Sequence, residues 1–505
     1  MRKPKVLLIN PKMCSPRSVR LPLSLLTLGA VLEDRAEYEI IDGNVEPDAV
    51  AQVTRTLRNG SCDLAAVTVM PGPQVAPAIE ISAAIRAASP DTPVVWGGYF
   101  PTLYASAAIN APYVDYVIRG QGEPTLLELL DRLPSPDAAA LAEVAALTWK
   151  NGEAVVHNHE RPFHSPDEYP MLPYEKCGDV QRFLRSSFMG SKTAVHQCAI
   201  GCRFHCSFCG VVSMFNGFTR LEAAQRVEGA LTRLRDQYGA NAVQFYDHNF
   251  FDTEESSLPV LEVLARLKMP WWCYARADAL ANFSTKTWEL LRASRFRMAY
   301  IGAEAASDEV LKRMRKGSKV KHTFEVASRC REYGVIPEFS FVLGGPEDPE
   351  GEVEKTLAFI KRLKQVHPQC EVILYFYSPT PQRDPAWRKA DPSRLAVPLL
   401  RTYGPEGPQL PTTPEEWTQS RWIDYVCHKD APWLSPKIRQ RVKDFSRVLY
   451  CRYPTVQDYA TPNLGKRVLE ITASWRYSSG RYGNPWELDL LRSFIPLREP
   501  QRESL

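Results

Sequence analysis

The sequence lacks the features of a membrane-spanning or nucleic-acid-binding chain. No apolar run approaches the roughly 18 residues that a spanning helix needs. No Lys and Arg tract stands out among 62 basic and 58 acidic residues, and the net charge is only +4. The first four residues lead directly into an apolar strand, without an export signal. We therefore expect a cytoplasmic protein with no transmembrane segment and no nucleic-acid partner, acting on a small molecule or lipid.

Histidine and clustered cysteine are both scarce, and their positions limit the chemistry. The first of nine histidines is His157, so residues 1–156 offer no imidazole ligand. Twelve cysteines in a long chain without an export signal indicate a reducing compartment, where clustered cysteines hold metals or act in catalysis. The one cluster is Cys198, Cys202, Cys206 and Cys209. The other eight cysteines are scattered, and we expect them to be buried as small apolar residues.

The first 140 residues show the alternation of a parallel α/β domain. The patterns predict strands at 5–10, 38–42, 64–70 and 93–97, and helices at 22–34, 46–59, 75–88 and 123–133. This order predicts a doubly wound parallel sheet with helices on both faces. Such sheets bind ligands at the carboxyl ends of their strands. Candidate ligand-binding residues at or just beyond those ends are Thr68, Gly97, Gly98, Gly120 and Gly122.

A second alternating block covers residues 191–385. Six strands are predicted, at 193–198, 242–247, 271–276, 299–304, 337–343 and 372–378, with helices between them. This pattern favours a partial TIM-like (β/α)6 barrel with function at the carboxyl ends of its strands. A hairpin turn at 149–153 and a Pro-rich stretch at 162–173 indicate a linker over 141–190. The region 386–505 is expected to be mostly helical after residue 414.

Three cysteines lie within eight residues, shortly after the first barrel strand: Cys202, Cys206 and Cys209. Three thiolates on a cubane of four irons leave one iron free for another ligand. An open position of this kind distinguishes a catalytic metal site from a closed structural one. From the spacing alone, structural zinc is the alternative, with Cys198, His196 or His205 as the fourth ligand.

Beyond this spacing, the Cys-x3-Cys-x-Phe-Cys motif after the first barrel strand resembles the radical S-adenosylmethionine (radical SAM) superfamily. The resemblance continues at the ends of the later strands, in Tyr246-Asp247-His248-Asn249-Phe250, Ala275-Arg276-Ala277-Asp278, Gly302-Ala303-Glu304-Ala305, Leu343-Gly344-Gly345-Pro346 and Ser378-Pro379-Thr380-Pro381. It implies a [4Fe-4S] cluster on Cys202, Cys206 and Cys209, with SAM on the open iron. It also implies an electron donor such as flavodoxin or ferredoxin.

The same resemblance assigns four residues to SAM binding. Phe208 is expected to pack beside SAM, Glu304 to hydrogen-bond its polar groups and Arg276 to pair with its carboxylate, and Asp247 is placed in the same site. The residues themselves allow simpler roles. Glu304 and Arg276 could form a salt bridge inside the barrel, and Asp247 could cap the end of its strand. The role of Cys198 stays open.

The amino-terminal domain resembles the cobalamin-binding domain that is fused to many radical SAM enzymes. The resemblance rests on residues 93–102, 115–123 and 22–29, and with the barrel it covers residues 5–385, about three quarters of the chain. The Asp-x-His-x-x-Gly motif is absent, and Asn10-Pro11-Lys12 stands where it would be expected. Cobalamin would therefore have no histidine from this domain on its lower face. A flavodoxin-like domain with another ligand is the alternative.

Together these resemblances imply an enzyme that methylates an unactivated carbon. One SAM would supply the methyl group through cobalamin, and a second would supply a radical that removes a substrate hydrogen. A radical cyclase or rearrangement enzyme is the alternative within the same architecture, and a non-catalytic corrinoid or zinc sensor is the alternative outside it. A methylthio-transfer enzyme is disfavoured because its amino-terminal domain carries three cluster cysteines, whereas this one has only Cys14 and Cys62. Aromatic residues on the barrel strands could line an apolar cavity, and hopanoid, porphyrin and antibiotic-pathway substrates all stay open.

Overall fold

The computed structural model describes residues 2–133, 136–215, 217–378, 409–430, 434–459 and 464–500. Two sheets dominate these residues, one of seven strands and one of six, and helices cover both. Pro379-Thr380-Pro381 and the expected boundary at 385 and 386 lie outside the described residues. None of the described helices is both long and apolar enough to cross a bilayer.

The amino-terminal sheet has the strand order β2-β1-β3-β4-β5-β6-β7. The first five strands are parallel and the last two are antiparallel. The strands are β1 (Lys5–Asn10), β2 (Glu37–Asp42), β3 (Leu64–Thr68), β4 (Val94–Gly97), β5 (Tyr116–Ile118), β6 (Leu147–Asn151) and β7 (Ala154–His157). The helices are α1 (Leu23–Leu32), α2 (Ala49–Arg58), α3 (Val75–Ala88), α4 (Tyr99–Leu103), α5 (Ala105–Asn110), α6 (Glu123–Arg132) and α7 (Ala138–Ala142).

Alternation along the strands gives this sheet two buried faces. On β1, Leu7 and Ile9 belong to one apolar cluster, which includes residues of α2 and α3. Val6 and Leu8 belong to another, which includes residues of α1 and α6. Successive side chains of a strand point to opposite faces, so both faces are covered by helices. The predicted doubly wound sheet is confirmed, and its first five strands have the order 2-1-3-4-5 that places a ligand between β1 and β3.

The hairpin of β6 and β7 extends this sheet beyond the expected domain end at residue 140. Strand β6 pairs with β5, with Trp149 opposite Tyr116. Leu147 and Trp149 are buried there, and the indole N–H of Trp149 donates to Asn158 Oδ1 at 3.2 Å. The sequence indicated the hairpin turn but assigned it to a linker. Burial of Leu147 and Trp149 against the sheet places it instead in the amino-terminal domain. Three short 3-10 turns follow, at Pro166–Glu168, Tyr174–Cys177 and Val180–Arg182.

The second large sheet is a six-stranded partial barrel with all neighbouring strands parallel. Its strands, in spatial order, are β8 (Thr193–His196), β11 (Ala242–Phe245), β12 (Trp271–Arg276), β13 (Phe296–Glu304), β14 (Ile336–Leu343) and β15 (Glu371–Phe376). The intervening helices are α9 (Ala224–Tyr238), α10 (Glu254–Leu267), α11 (Ala277–Asn282), α12 (Thr285–Ala293), α13 (Asp308–Arg313), α14 (Val320–Tyr333) and α15 (Pro349–Val366). A small antiparallel pair, β9 (Ala199–Gly201) and β10 (Thr219–Leu221), and helix α8 (Gly210–Phe215) flank the cysteine loop. The predicted partial barrel is confirmed.

The carboxyl-terminal region is helical, as expected. Its helices are α16 (Pro414–Trp417), α17 (Ser420–Val426), α18 (Pro436–Arg452), α19 (Val456–Tyr459), α20 (Leu464–Ser479) and α21 (Trp486–Phe494). Trp417 packs against Phe100 and Tyr104 of the amino-terminal domain, with ring centroids 5.9 and 4.1 Å away. Phe445 and Leu449 of α18 instead belong to the core of the barrel. The region therefore contacts both sheets.

Candidate functional site

The three cysteines of the motif lie in the loop between β9 and α8, at the carboxyl end of the barrel. Cys206 is buried, and Cys202 and Cys209 are half-buried. Burial, followed by the nearby Cys206 thiol, raises the pKa of Cys209 to about 12. The pKa of Cys202 is raised mainly by burial, and Arg276 and Lys316 oppose the rise. The three thiols thus lie within electrostatic range of one another, with two cations beside them.

This donor set fits a cluster of several irons. Within the described ranges, no three His, Cys, Asp or Glu side chains are arranged as ligands of one metal ion. A cubane carries each thiolate on a different iron, and three thiolates leave its fourth iron open. Because thiolates must be deprotonated to bind metal, the adjacent positive charges favour the ligating form. Metal binding would favour the thiolates and so oppose the rise in thiol pKa that burial causes.

Arg276, at the end of β12, contacts the cysteine loop directly. Its Nη1 donates to Cys206 Sγ at 3.7 Å, and its Cζ lies 3.5 Å from the centroid of the Phe204 ring. Two further hydrogen bonds of 3.0 Å join its guanidinium to Asp278, and Nη2 also donates to the carbonyl of Lys316. The group is 5% exposed. Arg276 therefore holds a positive charge against the sulfur of Cys206.

Glu304, at the end of β13, pairs with Lys316, which lies in none of the motifs. Lys316 Nζ lies 2.7 Å from Glu304 Oε1, and both side chains are buried. A β-carbon on Gly302 would lie 2.1 Å from Glu304 Oε1 and 2.5 Å from Lys316 Nζ, so only glycine leaves room for the pair. Lys316 Nζ also lies 5.8 Å from the centroid of the Phe208 ring.

Glu304 and Arg276 thus form no salt bridge with each other, because each has its own oppositely charged partner. The ladder is irregular between Gly302 and Glu304, and Glu304 has a left-handed φ of +62°. Non-glycine residues in this region are uncommon, and such strain is found where a site fixes a side chain. The strand end therefore turns the Glu304 carboxylate toward Lys316, at the mouth of the barrel.

Asp247 ties the end of β11 to the segment before the cysteines. Its Oδ1 accepts from the backbone N–H of Ala199 at 2.6 Å, and its Oδ2 accepts from the Cys198 thiol at 3.4 Å. Burial raises the pKa of this carboxyl to about 7. The arrangement favours the strand-end cap, and a contact of Asp247 with SAM stays a prediction. Cys198 is a buried thiol donor to Asp247.

The barrel interior carries aromatic side chains below this site. Trp272, Tyr274 and Tyr300 follow one another with ring centroids 4.6 and 5.2 Å apart. The indole N–H of Trp272 donates to Glu338 Oε2 at 2.5 Å. Trp271 instead packs among Phe245 and other rings of the core behind the sheet. Some of the strand aromatics therefore face the interior, and others only fill the core.

The candidate cobalamin-binding residues come together at the carboxyl ends of β3, β4 and β5. A β-carbon on Gly98, whose φ is +95°, would lie 2.9 Å from Thr68 Oγ1 and 3.2 Å from the backbone of Val69. The hydroxyl of Thr102 donates to the Gly98 carbonyl at 2.7 Å and accepts from the Gly120 N–H at 3.0 Å. Thr102 was not singled out from the sequence, although it links the two glycine loops.

This edge of the sheet leaves space for a ligand. A β-carbon on Gly97 would have one neighbour within 4 Å, the Ile118 carbonyl oxygen at 4.0 Å. A β-carbon on Gly122 would touch Leu28 at 3.4 Å. The open face at Gly97, beside the close packing of Gly98, is the arrangement that lets a large planar group approach the backbone. The residues present therefore fit a corrin.

A buried amide side chain links the loops after β1 and β3. Gln74, 1% exposed, donates to Asn10 Oδ1 at 2.8 Å and to the Pro11 carbonyl at 2.6 Å. Its own Oε1 accepts from Met70 N–H at 2.7 Å. These bonds join the loop after β1, where the histidine motif would be expected, to the loop after β3. Gln74 could not be predicted from the sequence, because its partner Asn10 is 64 residues away.

The two candidate sites are joined by direct contacts. Arg20, in the segment between β1 and α1, donates to Gln244 Oε1 of barrel strand β11 at 2.9 Å. A β-carbon on Gly72 would lie 3.2 Å from Cys427 Sγ, so the segment 409–430 touches the loop after β3. The next residue, His428, forms a hydrogen bond with Ser378, beyond β15, in which Nδ1 and Oγ are 2.9 Å apart. Fold and site together define an iron-sulfur barrel enzyme with an attached ligand-binding α/β domain.

Comparison with known proteins identifies both parts. Residues 16–130 match the B12 binding domain family, and residues 198–360 match the Radical SAM superfamily. An uncharacterized methyltransferase of Pyrococcus horikoshii is 24% identical over 68% of this chain and 73% of its own. An anaerobic magnesium-protoporphyrin IX monomethyl ester cyclase of Synechocystis is 20% identical over 72% of each chain.

A solved structure shares the arrangement of both domains. The radical S-adenosylmethionine methyltransferase TsrM from Kitasatospora setae, with cobalamin and a [4Fe-4S] cluster bound, aligns with a TM-score of 0.59. It is 21% identical, and the alignment covers 74% of this chain and 75% of TsrM. The chain belongs to the radical SAM enzymes that carry a cobalamin-binding domain. Its cofactors are accordingly a [4Fe-4S] cluster, SAM and cobalamin, and it requires a substrate and a reductant.

Proposed function

We propose that this enzyme methylates an unactivated carbon of a small-molecule or lipid substrate. The observation that carries the proposal is the direct contact between the B12 binding domain and the radical SAM barrel, where Arg20 of the segment after β1 donates to Gln244 of β11. Methyltransferases among the similar proteins give further support. When bound, the cofactors supply a transferable methyl group and a 5′-deoxyadenosyl radical that removes a substrate hydrogen atom.

In this proposal the cluster is held by Cys202, Cys206 and Cys209. Arg276 raises its reduction potential. The Arg276 guanidinium donates to Cys206 Sγ and is fixed by Asp278 and by the Phe204 ring. A hydrogen bond and a positive charge at a ligating sulfur raise the reduction potential of an iron-sulfur centre. Arg276 would therefore ease electron entry from a donor such as flavodoxin or ferredoxin.

SAM would be held at the mouth of the barrel by the ends of β12 and β13. Phe208 lies beside Lys316 and would pack against SAM, while Glu304 would accept hydrogen bonds from its polar groups. Lys316, as the cation between Glu304 and the cysteines, would hold the Glu304 carboxylate in position. Asp247 would act mainly through the backbone that it holds at Ala199.

Cobalamin would lie over the ends of β3, β4 and β5, against Thr68, Gly97, Gly98, Gly120 and Gly122. Gln74 and Asn10 would brace the loops beneath it, with no histidine from residues 1–156 on the lower face. Trp272, Tyr274 and Tyr300 would form apolar walls for the substrate.

The test counts the products formed from SAM. Methyl transfer consumes two SAM for each methylated product, so S-adenosylhomocysteine and 5′-deoxyadenosine should form in equal amounts with reductant and substrate present. The Cys202→Ala variant should form no 5′-deoxyadenosine and no methylated product, because the radical half of the reaction depends on the cluster. Methyl transfer fails as an explanation if substrate-dependent 5′-deoxyadenosine appears while S-adenosylhomocysteine stays at background.

A radical cyclase is the second candidate, because the similar proteins include an anaerobic cyclase. A cyclase or rearrangement enzyme would use the same cluster and SAM residues and would form 5′-deoxyadenosine alone. The product count therefore separates the two candidates in one measurement.

A further inference from the structure

Helix α20 (Leu464–Ser479) exposes an apolar stripe to solvent. Leu464, Val468, Ile471 and Trp475 are 80, 44, 71 and 57% exposed. Their spacing of three or four residues places all of them on one face of the helix. The opposite face, with Leu469 and Ala473, is buried in the barrel core. The stripe therefore lies on the solvent side of a helix whose other side packs against the barrel core.

The next helix, α21 (Trp486–Phe494), repeats the pattern. Trp486, Leu490 and Phe494 are spaced four residues apart and are 63, 55 and 78% exposed, whereas Leu488 is fully buried. Arg476 ties the two helices together through Glu487. We define these seven residues, Leu464, Val468, Ile471, Trp475, Trp486, Leu490 and Phe494, as the carboxyl-terminal apolar patch.

The patch stands apart from the rest of the described surface. Only three other large apolar side chains are exposed in the described residues, Met13, Val155 and Met171, and all three are near 40% exposed or below. Scattered exposed apolar residues are normal, but a concentration of them marks an interaction site.

The charge around the patch indicates what covers it. Residues 464–500 contain four acidic residues, and each lies in an ion pair: Glu470 with Arg452, Glu487 with Arg476, Asp489 with Arg447 and Glu499 with Arg492. Arg467 and Arg481 are exposed and form no ion pair within the described residues. Arg481 Cζ lies 5.5 Å from the centroid of the Trp475 ring.

The positive charge extends through the surrounding helices. The stretches 434–459 and 464–500 carry twelve basic and six acidic residues, in a chain with 62 and 58 overall. The excess positive charge is therefore concentrated in this region. Amphipathic helices with Trp, Phe and Leu on one face and Arg or Lys beside it bind the surface of anionic bilayers. Trp suits such an interface because its ring is apolar while its N–H stays hydrated.

We propose that the carboxyl-terminal apolar patch docks on the surface of an anionic phospholipid bilayer. The seven apolar side chains insert between the headgroups, and Arg467 and Arg481 contact lipid phosphates. A second copy of the chain fits less well, because a two-fold contact through this patch would bring the uncompensated arginines of both copies together. The inference does not depend on the reaction proposed above.

Vesicle sedimentation with purified full-length protein tests the docking. Wild-type protein should sediment with vesicles of equimolar phosphatidylglycerol and phosphatidylcholine, and less with phosphatidylcholine alone. Ile471→Ser with Leu490→Ser should lower the partition coefficient at least about ten-fold, since each change removes an inserted apolar side chain. Val155→Ser with Met171→Ser is the matched control, because these residues are exposed outside the patch.

A second pair of variants tests the charge. Arg467→Gln with Arg481→Gln should remove most of the preference for anionic vesicles, whereas Arg55→Gln with Arg58→Gln on α2 should leave it unchanged. The proposal is overturned if wild-type protein sediments with neither vesicle, or if the patch and control variants bind alike. It is also overturned if sedimentation equilibrium finds a wild-type dimer that the Ile471→Ser, Leu490→Ser variant dissociates, because a second copy then covers the patch.

Discussion

The phenol of Tyr99 occupies the space where Gly210 would carry a side chain. A β-carbon on Gly210 would lie 1.2 Å from the Tyr99 hydroxyl oxygen and 2.5 Å from Cζ. Tyr99 follows Gly98, at the open edge of the B12 binding domain, and Gly210 follows Cys209 of the barrel. The two cofactor-binding loops therefore meet at the ring of Tyr99.

This contact predicts that Gly210→Ala disturbs the junction between the domains. Even one methyl group overfills the space, and overpacking of a close contact costs about 1–3 kcal/mol. We expect a lower thermal midpoint and weaker cobalamin binding, measured by thermal unfolding and by titration with cobalamin. In a Tyr99→Ala background the same change should cost much less, because the phenol is gone.

Gly229→Ala is the matched control for this prediction. Gly229 is exposed on α9, and a β-carbon there would have one neighbour within 4 Å, Met171 Cε at 3.9 Å. Alanine at such a helical position stabilises by up to about 1 kcal/mol. Equal effects of the two glycine substitutions would contradict the close approach of Tyr99 to Gly210.

The cluster assignment predicts the iron content of cysteine variants. Anaerobically reconstituted wild-type protein should be brown and contain about four irons per chain. Replacing Cys202, Cys206 and Cys209 together with alanine should abolish the colour and the cleavage of SAM, because no thiolate then remains in the loop. Iron analysis and visible absorption provide the measurement. Stoichiometric zinc in protein purified without oxygen would rule out the cluster.

Cys198→Ala is the internal control, four residues before Cys202. Its thiol is buried and donates to Asp247 rather than to the cysteine loop. The variant should keep its four irons and its colour. Loss of iron from this variant alone would mean that Cys198 is a ligand and that the three-cysteine assignment needs revision.

The histidine-free domain predicts a particular cobalt spectrum. Residues 1–156 contain no histidine, and two of the next three histidines have hydrogen-bond partners: His157 Nδ1 lies 2.9 Å from Thr148 Oγ1, and His164 Nδ1 lies 2.8 Å from Glu168 Oε2. Paramagnetic resonance of the Co(II) form should therefore be identical for unlabelled and nitrogen-15-labelled protein. A splitting that changes with the label would mean that a histidine from beyond residue 156 reaches the cobalt.

Regular elements with strong periodicity could be predicted from the sequence. Helix α3 was expected at 75–88 and barrel strand β12 at 271–276, and both have those bounds. Their apolar residues repeat at the period of one element type, and turn residues mark their ends. Helices α4 and α5 were missed because Pro101 and small residues interrupt the pattern. Pro101 is tolerated because it lies in the first turn of α4, where its missing N–H is not needed.

Site residues within motifs could be predicted from the sequence, and site residues outside motifs could not. Recognisable motifs contain Cys206, in the loop after β9, and Arg276 and Glu304, at strand ends. The structure brings Arg276 into contact with Cys206. Lys316 and Gln74 lie in no motif. Each is identified as a site residue only by its partner in the folded protein, which is Glu304 for Lys316 and Asn10 for Gln74. Buried polar groups need partners, but a single sequence does not say which ones.

Two carboxyl groups are buried side by side on the last barrel strands. Glu338 on β14 is the ladder partner of Glu371 on β15. Burial raises the pKa of Glu338, and the neighbouring Glu371 raises it further, while the N–H of Trp272 partly opposes the rise. The pKa of Glu371 is also raised by burial, although it accepts from Val456 N–H at 2.8 Å.

The raised pKa of Glu338 predicts a pH dependence of stability. A carboxyl with a higher pKa in the folded than in the unfolded state contributes stability below its unfolded pKa, and that stability is lost as pH rises through the folded pKa. The thermal midpoint of the wild-type protein should therefore decrease as the pH rises from about 5 to about 8. Glu338→Gln should make this fall shallower, because the amide still accepts from Trp272 and never ionises. Thermal unfolding across this range, with the exposed Glu289→Gln as control, gives the comparison. Parallel curves for wild-type protein and Glu338→Gln would show that Glu338 does not titrate in this range.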